Sequence, residues 1–225
     1  MKTVVTNIYL KLAKLFKENG YILYMVGGSS RDYIMSRDTG DLDLGTDATP
    51  DQMIPFLRDK YDIKTPFKKY GNIKIHLGDI LIDITTLRVE GEYDDSRHPS
   101  KISFVKDPES DSKRRDFTIN AFYLKDDLKS IYDYHNGVDD LVGNRIRMIG
   151  DPLVRINEDP LRILRALRFS LKLNFDLDDL LSNAIKENLF LLNLLNPEKI
   201  KEEVNKILNI NPVKGEALLK SYNIL

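Results

Sequence analysis

The chain has 225 residues, 42% of them hydrophobic, and a formal net charge of −1, which bounds it to one large or two small globular domains with no global pull towards nucleic acid. It has no cysteine, so disulfides, thiolate zinc sites and cysteine nucleophiles are excluded. No apolar run reaches about 18 residues, and the amphipathic start, Met1 to Lys17, lacks an export-type apolar region, so no membrane span or signal is read and a cytoplasmic location is expected.

Taken in chain order, apolar residues at helical spacing (Ile8, Leu12, Leu15, Phe16) predict a packing helix over Thr6 to Asn19, closed by Gly20. A strand over Tyr21 to Val26, a helix from Ser30 to Met35, a strand at Leu42 to Leu44 and a helix over Pro50 to Lys60 follow, the last with Thr49 as N-cap ahead of proline. Asn72 to Leu77 and Ile80 to Leu87 flank Gly78-Asp79 and read as a hairpin. Between Arg88 and Lys113 the chain is polar, and only Ile102 to Val105 has strand character. Apolar density returns over Arg114 to Leu124, and Ser130 to Tyr134 reads as a final strand. From Pro160 the pattern is helical only: Pro160 to Lys172, Asp178 to Glu187, Pro197 to Leu208 and a short, fraying end near Val213 to Ser221. A mixed α/β domain over residues 1–150 thus gives way to a helical one over 151–225.

Chemistry concentrates in a few places. Gly27-Gly28-Ser29-Ser30-Arg31-Asp32 follows the apolar run Leu23 to Val26, so the backbone can approach a ligand and the next helix aims N–H groups at a phosphate. Asp41 and Asp43 alternate in an extended segment and share one face, and hard oxygen donors suit Mg²⁺ rather than zinc. Asp83 interrupts an apolar strand, and an unpaired buried carboxylate is costly. It reads as a third carboxylate beside Asp41 and Asp43, the alternative being a strand residue facing water. Arg114-Arg115-Asp116 opens an apolar element, where Arg115 can bind a triphosphate through paired donors and Asn120 can reach a sugar hydroxyl. A helix read from Glu158 carries Asp159, Arg162, Arg165 and Arg168 at spacing three on one half, with Ile163, Leu164, Leu167 and Leu171 on the other. The alternative is a solvated face of ion pairs. An Asp beside an Arg reads a base edge, because cytosine and adenine each place an amino group next to an acceptor nitrogen. Lys and Arg cluster at Arg97 to Arg115 and at Arg155 to Lys172, the places from which a nearly neutral chain would bind RNA.

Together these motifs resemble the class II tRNA nucleotidyltransferases, the CCA-adding enzymes, in the superfamily of bacterial poly(A) polymerases and DNA polymerase β. The resemblance rests on G-G-S-S-R-D with D-L-D-L, R-R-D-F-T-I-N-A, D-Y-H-N-G-V-D-D-L with I-G-D-P, E-D-P-L-R-I-L-R-A-L-R-F and, more loosely, P-E-K-I-K-E-E-V-N-K-I-L, in order over roughly Tyr21 to Leu208. R-V-E-G-E-Y-D-D-S-R-H-P is similar to the flexible loop of CCA-adding members.

The resemblance implies an α+β fold: a polymerase-β-like nucleotidyltransferase head, with a mixed sheet and helices, followed by an all-helical neck with a shortened body. It implies transfer of CMP and AMP from CTP and ATP to the 3′ end of tRNA, with poly(A) synthesis, CC-only or A-only addition as enzymatic alternatives and an idle RNA-binding module as a non-enzymatic one. It further implies Asp41 and Asp43 as Mg²⁺ ligands with Asp83 in support, and Gly28, Arg31 and Arg115 on the incoming nucleotide. Asp159 and Arg162 would read its base, with Arg165 and Arg168 supporting the nucleotide and phosphates. Lys199 stands where the family commonly has arginine, and relatives generally continue through body and tail domains. A short natural enzyme, a truncation and one part of a split enzyme all fit the sequence.

Overall fold

The computed structural model describes residues 2–38, 40–91 and 102–225, with side chains from residue 4 onward. The described chain divides into two compact units, one of residues 2–90, 102–115 and 119–137, the other of Gly91, 116–118 and 138–225. The sequence boundary at residue 150 lies inside the second. Among the described residues no helix is long and apolar enough to cross a membrane.

The first unit begins with α1 (Lys2–Glu18), β1 (Leu23–Met25), α2 (Gly27–Ile34), β2 (Leu42–Thr46) and α3 (Pro50–Arg58). It continues with β3 (Ile63–Lys64), the hairpin β4 (Asn72–Leu77) and β5 (Ile80–Thr86), β6 (Arg88–Glu90), β7 (Ile102–Phe104), α4 (Pro108–Ser112), β8 (Tyr123–Leu124) and β9 (Ile131–Tyr132). Seven strands form one mixed sheet in the order β3-β4-β5-β2-β1-β8-β9, with β2 parallel to β5 and antiparallel to β1.

Strand alternation sorts the side chains of this sheet onto two faces. Leu42, Leu44, Ile73, Ile75, Ile82 and Ile84 are buried against Tyr9, Leu12 and Phe16 of α1. The residues between them, Asp43, Asp83, Asn72 and Lys74, therefore belong to the opposite face. Pro50 fits the first position of α3, and the Thr49 N–H donates to Gln52 Oε1 at 2.9 Å, closing the cap that the sequence placed there. The fully buried hydroxyl of Tyr9 lies 3.1 Å from the Leu23 carbonyl and 2.9 Å from that of Leu124, tying α1 to two strands.

The second unit holds most of α5 (Gly137–Val142), then β10 (Arg145–Ile146), α6 (Pro152–Glu158), α7 (Leu161–Leu173), β11 (Asp176–Leu177), α8 (Asp179–Asn188), α9 (Pro197–Ile210) and α10 (Pro212–Ser221). Two expectations are corrected here. The chain after Pro160 is not purely helical: Asn174 turns left-handed at φ 57°, and Asp176 and Asp178 then donate their N–H groups to the Asn144 and Ile146 carbonyls, pairing β11 in parallel with β10. The short helical end expected near Val213 to Ser221 is α10, which is capped by Asn211 accepting from the Lys214 N–H rather than fraying. Gly215 allows α10 to approach α9 closely, since a Cβ there would lie 3.1 Å from the Ile207 carbonyl oxygen.

Tyr9→Phe keeps the packing but removes the single O–H donor that the Leu23 and Leu124 carbonyls share. It is expected to cost about 1–2 kcal/mol in a denaturant titration, and an unchanged midpoint would show that the hydroxyl does not tie helix to sheet.

Candidate active site

Asp43 is the centre of the first unit's polar face. It pairs in register with Asp83 on the neighbouring parallel strand, so both carboxylates leave the sheet on the same side. Burial pushes the Asp43 carboxyl above the ordinary range, Asp83 and then Asp41 add to the rise, and Arg115 and the Gly28 N–H oppose it.

The paired glycines have a steric role that the sequence did not reveal. At Gly27 the backbone is left-handed, φ 62°, and an added Cβ would lie 3.1 Å from Asp43 Oδ2; at Gly28 it would lie 3.5 Å from the same oxygen. The loop therefore makes room for the carboxylate itself. Helix α2 starts at Gly27, three residues earlier than the sequence pattern suggested. Ser29 joins loop and strand, its Oγ donating to the Asp41 carbonyl and accepting from the Asp43 N–H at 2.8 Å.

Other expected site residues take unexpected partners. Arg31 is only 1% exposed and its guanidinium turns inward, donating to Asp32 Oδ1 through Nε and Nη2 and to Asn120 Oδ1 at 2.6 Å. Asn120, expected to reach a sugar, accepts at Oδ1 from this buried arginine. Asp83 accepts from Lys74 Nζ and Asn72 Nδ2 across the β4–β5 hairpin. Among the described residues no three acidic or histidine side chains gather closely enough to hold a metal ion by themselves, so the expected three-carboxylate shell is not closed. Asp41 is exposed, just before β2.

Arg115 is anchored by a residue that the sequence reading overlooked. Asp111, fully buried, accepts at Oδ2 from Arg115 Nη2 (3.0 Å) and the Tyr123 hydroxyl (2.6 Å), and at Oδ1 from Arg114 Nε and the Arg88 N–H, both 2.8 Å. The signal was available, since an acid three and four residues ahead of two arginines faces both on a helical turn. Of the loop expected over Arg88 to Pro99, residues 92–99 lie outside the described residues, as does Arg97.

In the second unit Asp159 is not part of the arginine-bearing helix. It sits in extended backbone (φ −149°, ψ 95°) between α6 and α7, because Pro160 cannot continue α6. Its Oδ1 accepts from the Leu161 N–H at 3.1 Å, and its carbonyl accepts from the Arg162 N–H at 3.0 Å. Arg162, Arg165 and Arg168 do lie on α7, each with an acid. Arg162, 5% exposed, donates to Glu158 Oε2 at 2.9 Å and to the Arg155 carbonyl. Arg165 donates twice to Asp116 Oδ2, which raises its pKa further. Arg168 Nε lies 2.9 Å from Glu203 Oε2 without hydrogen-bond alignment, and its guanidinium lies over Phe169 at 4.7 Å. Glu158, Arg155 and Glu203 were not singled out as site residues.

A mixed sheet with a glycine-opened helix against its carboxylate-bearing strand, in a chain that continues into a mainly helical unit, is an α+β architecture. Residues 23–147 match the family described as Poly A polymerase head domain. The chain belongs to that family. It is similar to the CCA-adding enzymes of Staphylococcus epidermidis, 39% identical over 204 residues covering 90% of this chain and 50% of the relative, and of Bacillus licheniformis, 39% identical over 208 residues covering 92% and 50%. The Bacillus stearothermophilus CCA-adding enzyme in complex with CTP superposes with a TM-score of 0.80 at 27% identity, over 96% of this chain and 51% of that one. A tRNA nucleotidyltransferase complexed with a primer tRNA and an incoming ATP analog gives 0.79 at 28%, over 95% and 60%. The chain thus spans about half the length of the curated relatives it matches.

Asp43 generates a stability prediction whose sign follows from its raised pKa. A carboxyl raised in the folded state stabilises the fold below the unfolded value of about 3.9 and loses that contribution as pH rises through its folded pKa. Without divalent cations, Asp43→Asn is therefore expected to melt higher than wild type at pH 7, and the difference should vanish near pH 3. Equal melting temperatures at pH 7 would show that Asp43 carries no electrostatic strain.

Proposed function

We propose that this chain catalyses template-independent transfer of CMP and AMP from CTP and ATP to the 3′ end of tRNA, releasing pyrophosphate. The observation that carries the reading is Asp43 in register with Asp83, its charged form destabilised by burial and a neighbouring acid, and its side chain laid against Gly27 and Gly28. A carboxylate kept in that state is relieved by a proton or by a bound cation, which makes it a candidate functional group. The likeness to CCA-adding enzymes supplies the substrate class.

Asp41 and Asp43, all-oxygen donors, would hold Mg²⁺, which is typically bound by one or two carboxylates together with substrate phosphates; when bound, the ion supplies charge neutralisation at the phosphates and a more acidic attacking hydroxyl. Asp83 supports the pair from the next strand and is itself steadied by Lys74 and Asn72. Gly28 and Arg115 are assigned to the incoming triphosphate, the first through close backbone approach and the second through guanidinium donors. Arg31 serves the same end indirectly, by orienting Asn120 and the start of α2. Asp159 and Arg162 are assigned to the base, a carboxylate accepting the amino group of C or A and a guanidinium donating to the adjacent ring nitrogen. Their hydrogen bonds to Leu161, Glu158 and Arg155 hold them ready, so a base offering a carbonyl and an N–H would leave polar groups unpaired. Arg165 and Arg168 support nucleotide and phosphates from the same helix.

The product ladder on a tRNA lacking its CCA end, with CTP and ATP supplied separately and together, tests the reading. Two C additions and one A are expected. A long A ladder would mean a poly(A) polymerase, a single nucleotide type would mean a partial adder, and no product would leave an RNA-binding module. Asp41→Ala or Asp43→Ala is expected to lower addition roughly a hundredfold or more while the protein stays folded. Near wild-type rates at equal Mg²⁺ would remove these carboxylates from the chemistry.

The base-reading pair yields a separate expectation. Asp159→Ala and Arg162→Ala should admit U or G in four-nucleotide competition, with pyrophosphate affinity little changed. Slower addition that stays faithful to C and A would assign base choice elsewhere.

A further inference from the structure

Asp111 is a buried carboxylate with no part in the chemistry described above. We propose that Asp111, acting with Tyr123, is a positioning residue that fixes the Arg115 guanidinium for a triphosphate. The proposal rests on the reading of Arg115 as a triphosphate ligand and adds to it the means by which that ligand is held.

The geometry goes beyond a single ion pair. The Tyr123 hydroxyl donates to Asp111 Oδ2 at 2.6 Å and accepts from Arg115 Nε at 2.8 Å, while Arg115 Nη2 reaches the same carboxylate oxygen at 3.0 Å. Two attachment points from different elements fix the direction of a planar guanidinium as well as its place, which a lysine could not provide. Asp111 Oδ1 is held in turn by Arg114 and the Arg88 N–H, so the anchor cannot swing. Arg115 opposes the rise of the Asp43 pKa, which puts its charge within electrostatic reach of the carboxylate that the transfer reaction needs.

Charge balance agrees with this role. Burial alone would raise the Asp111 pKa, but Arg114, Arg115, Tyr123 and the Arg88 N–H outweigh it and hold the carboxyl well below the ordinary range. The anchor is thus held in its charged form, and an arginine already oriented loses little side-chain freedom when it binds.

The test titrates ATP, pyrophosphate and adenosine, each with Mg²⁺, into the full chain and into Arg115→Met, Asp111→Asn and Tyr123→Phe, with a melting curve for each. Asp111→Asn should weaken ATP and pyrophosphate roughly tenfold, the equivalent of one charge-assisted hydrogen bond, and Tyr123→Phe several-fold, while adenosine is unaffected. Added to Arg115→Met, Asp111→Asn should weaken pyrophosphate no further, as expected of residues acting as one unit. If Arg115→Met weakens pyrophosphate but Asp111→Asn and Tyr123→Phe do not, the positioning role is wrong and the reading of Arg115 stands. If Arg115→Met leaves pyrophosphate affinity intact, that reading falls and the proposal with it. Equal weakening of adenosine would make the cluster a general structural one and would also overturn the proposal. Should Asp111→Asn fail to fold, the milder Tyr123→Phe decides by the same comparison.

Discussion

Two acids in register on adjacent parallel strands repel each other and dislike burial, and much of the first unit is arranged around that constraint. Asp43 and Asp83 cannot move apart without breaking the β2–β5 pairing that also buries Leu42, Leu44, Ile82 and Ile84. The fold answers with local compensation. Lys74 and Asn72 take Asp83, and the Gly28 N–H and Arg115 act on Asp43. None of these fully cancels the cost at Asp43, whose carboxyl stays above its ordinary range. A protein that keeps such a residue on a rigid strand gives up some stability there, the trade expected where function and packing conflict.

The backbone of this arrangement was legible in the sequence because it obeys short-range rules. Alternation gave the hairpin β4–β5 and the faces of β2 and β5, Thr49 with Pro50 marked the start of α3, and apolar spacing gave α1 and α7. What escaped was set by contacts between residues far apart in the chain. β10 and β11 are two residues each and separated by two helices, too short for any periodicity to announce them. Asp159 was misplaced for a different reason: spacing of three carried the helical pattern back through Pro160, whereas proline forces the residue before it out of the helical region.

At the site itself, residue identity was easier to read than residue partnership. Asp43, Asp83 and Arg115 stand out as polar residues beside apolar runs, and the structure puts the first two side by side in register. Arg31 shows the limit. A motif position beside two glycines suggests a phosphate contact, yet the side chain is buried between Asp32 and Asn120. Gly27 is the reverse case. Its left-handed backbone fits the turn that the sequence implies, but the crowding that forbids a side chain comes from Asp43, sixteen positions on. Patterns along the chain report which conformation a residue can adopt, and only the fold reports what presses against it.

The near-neutral charge of a chain assigned to nucleotides and RNA also acquires a physical cause. It carries 34 basic and 35 acidic side chains, and each arginine in the motifs lies against an acid: Arg31 with Asp32, Arg114 and Arg115 sharing Asp111, Arg162 with Glu158, Arg165 with Asp116, Arg168 with Glu203. A guanidinium that must point in one direction needs a second group to aim it, and the group best suited is a carboxylate, whose two oxygens accept in a plane. Aiming arginines in this way therefore brings neutralising charge along with them. The cost is long-range attraction, because a paired cation contributes little field beyond a Debye length of about 10 Å. The gain is a set of donors already oriented, which is what preorganised electrostatics requires. Counting charges along such a chain understates its capacity for anionic ligands, since specific placement has replaced net attraction.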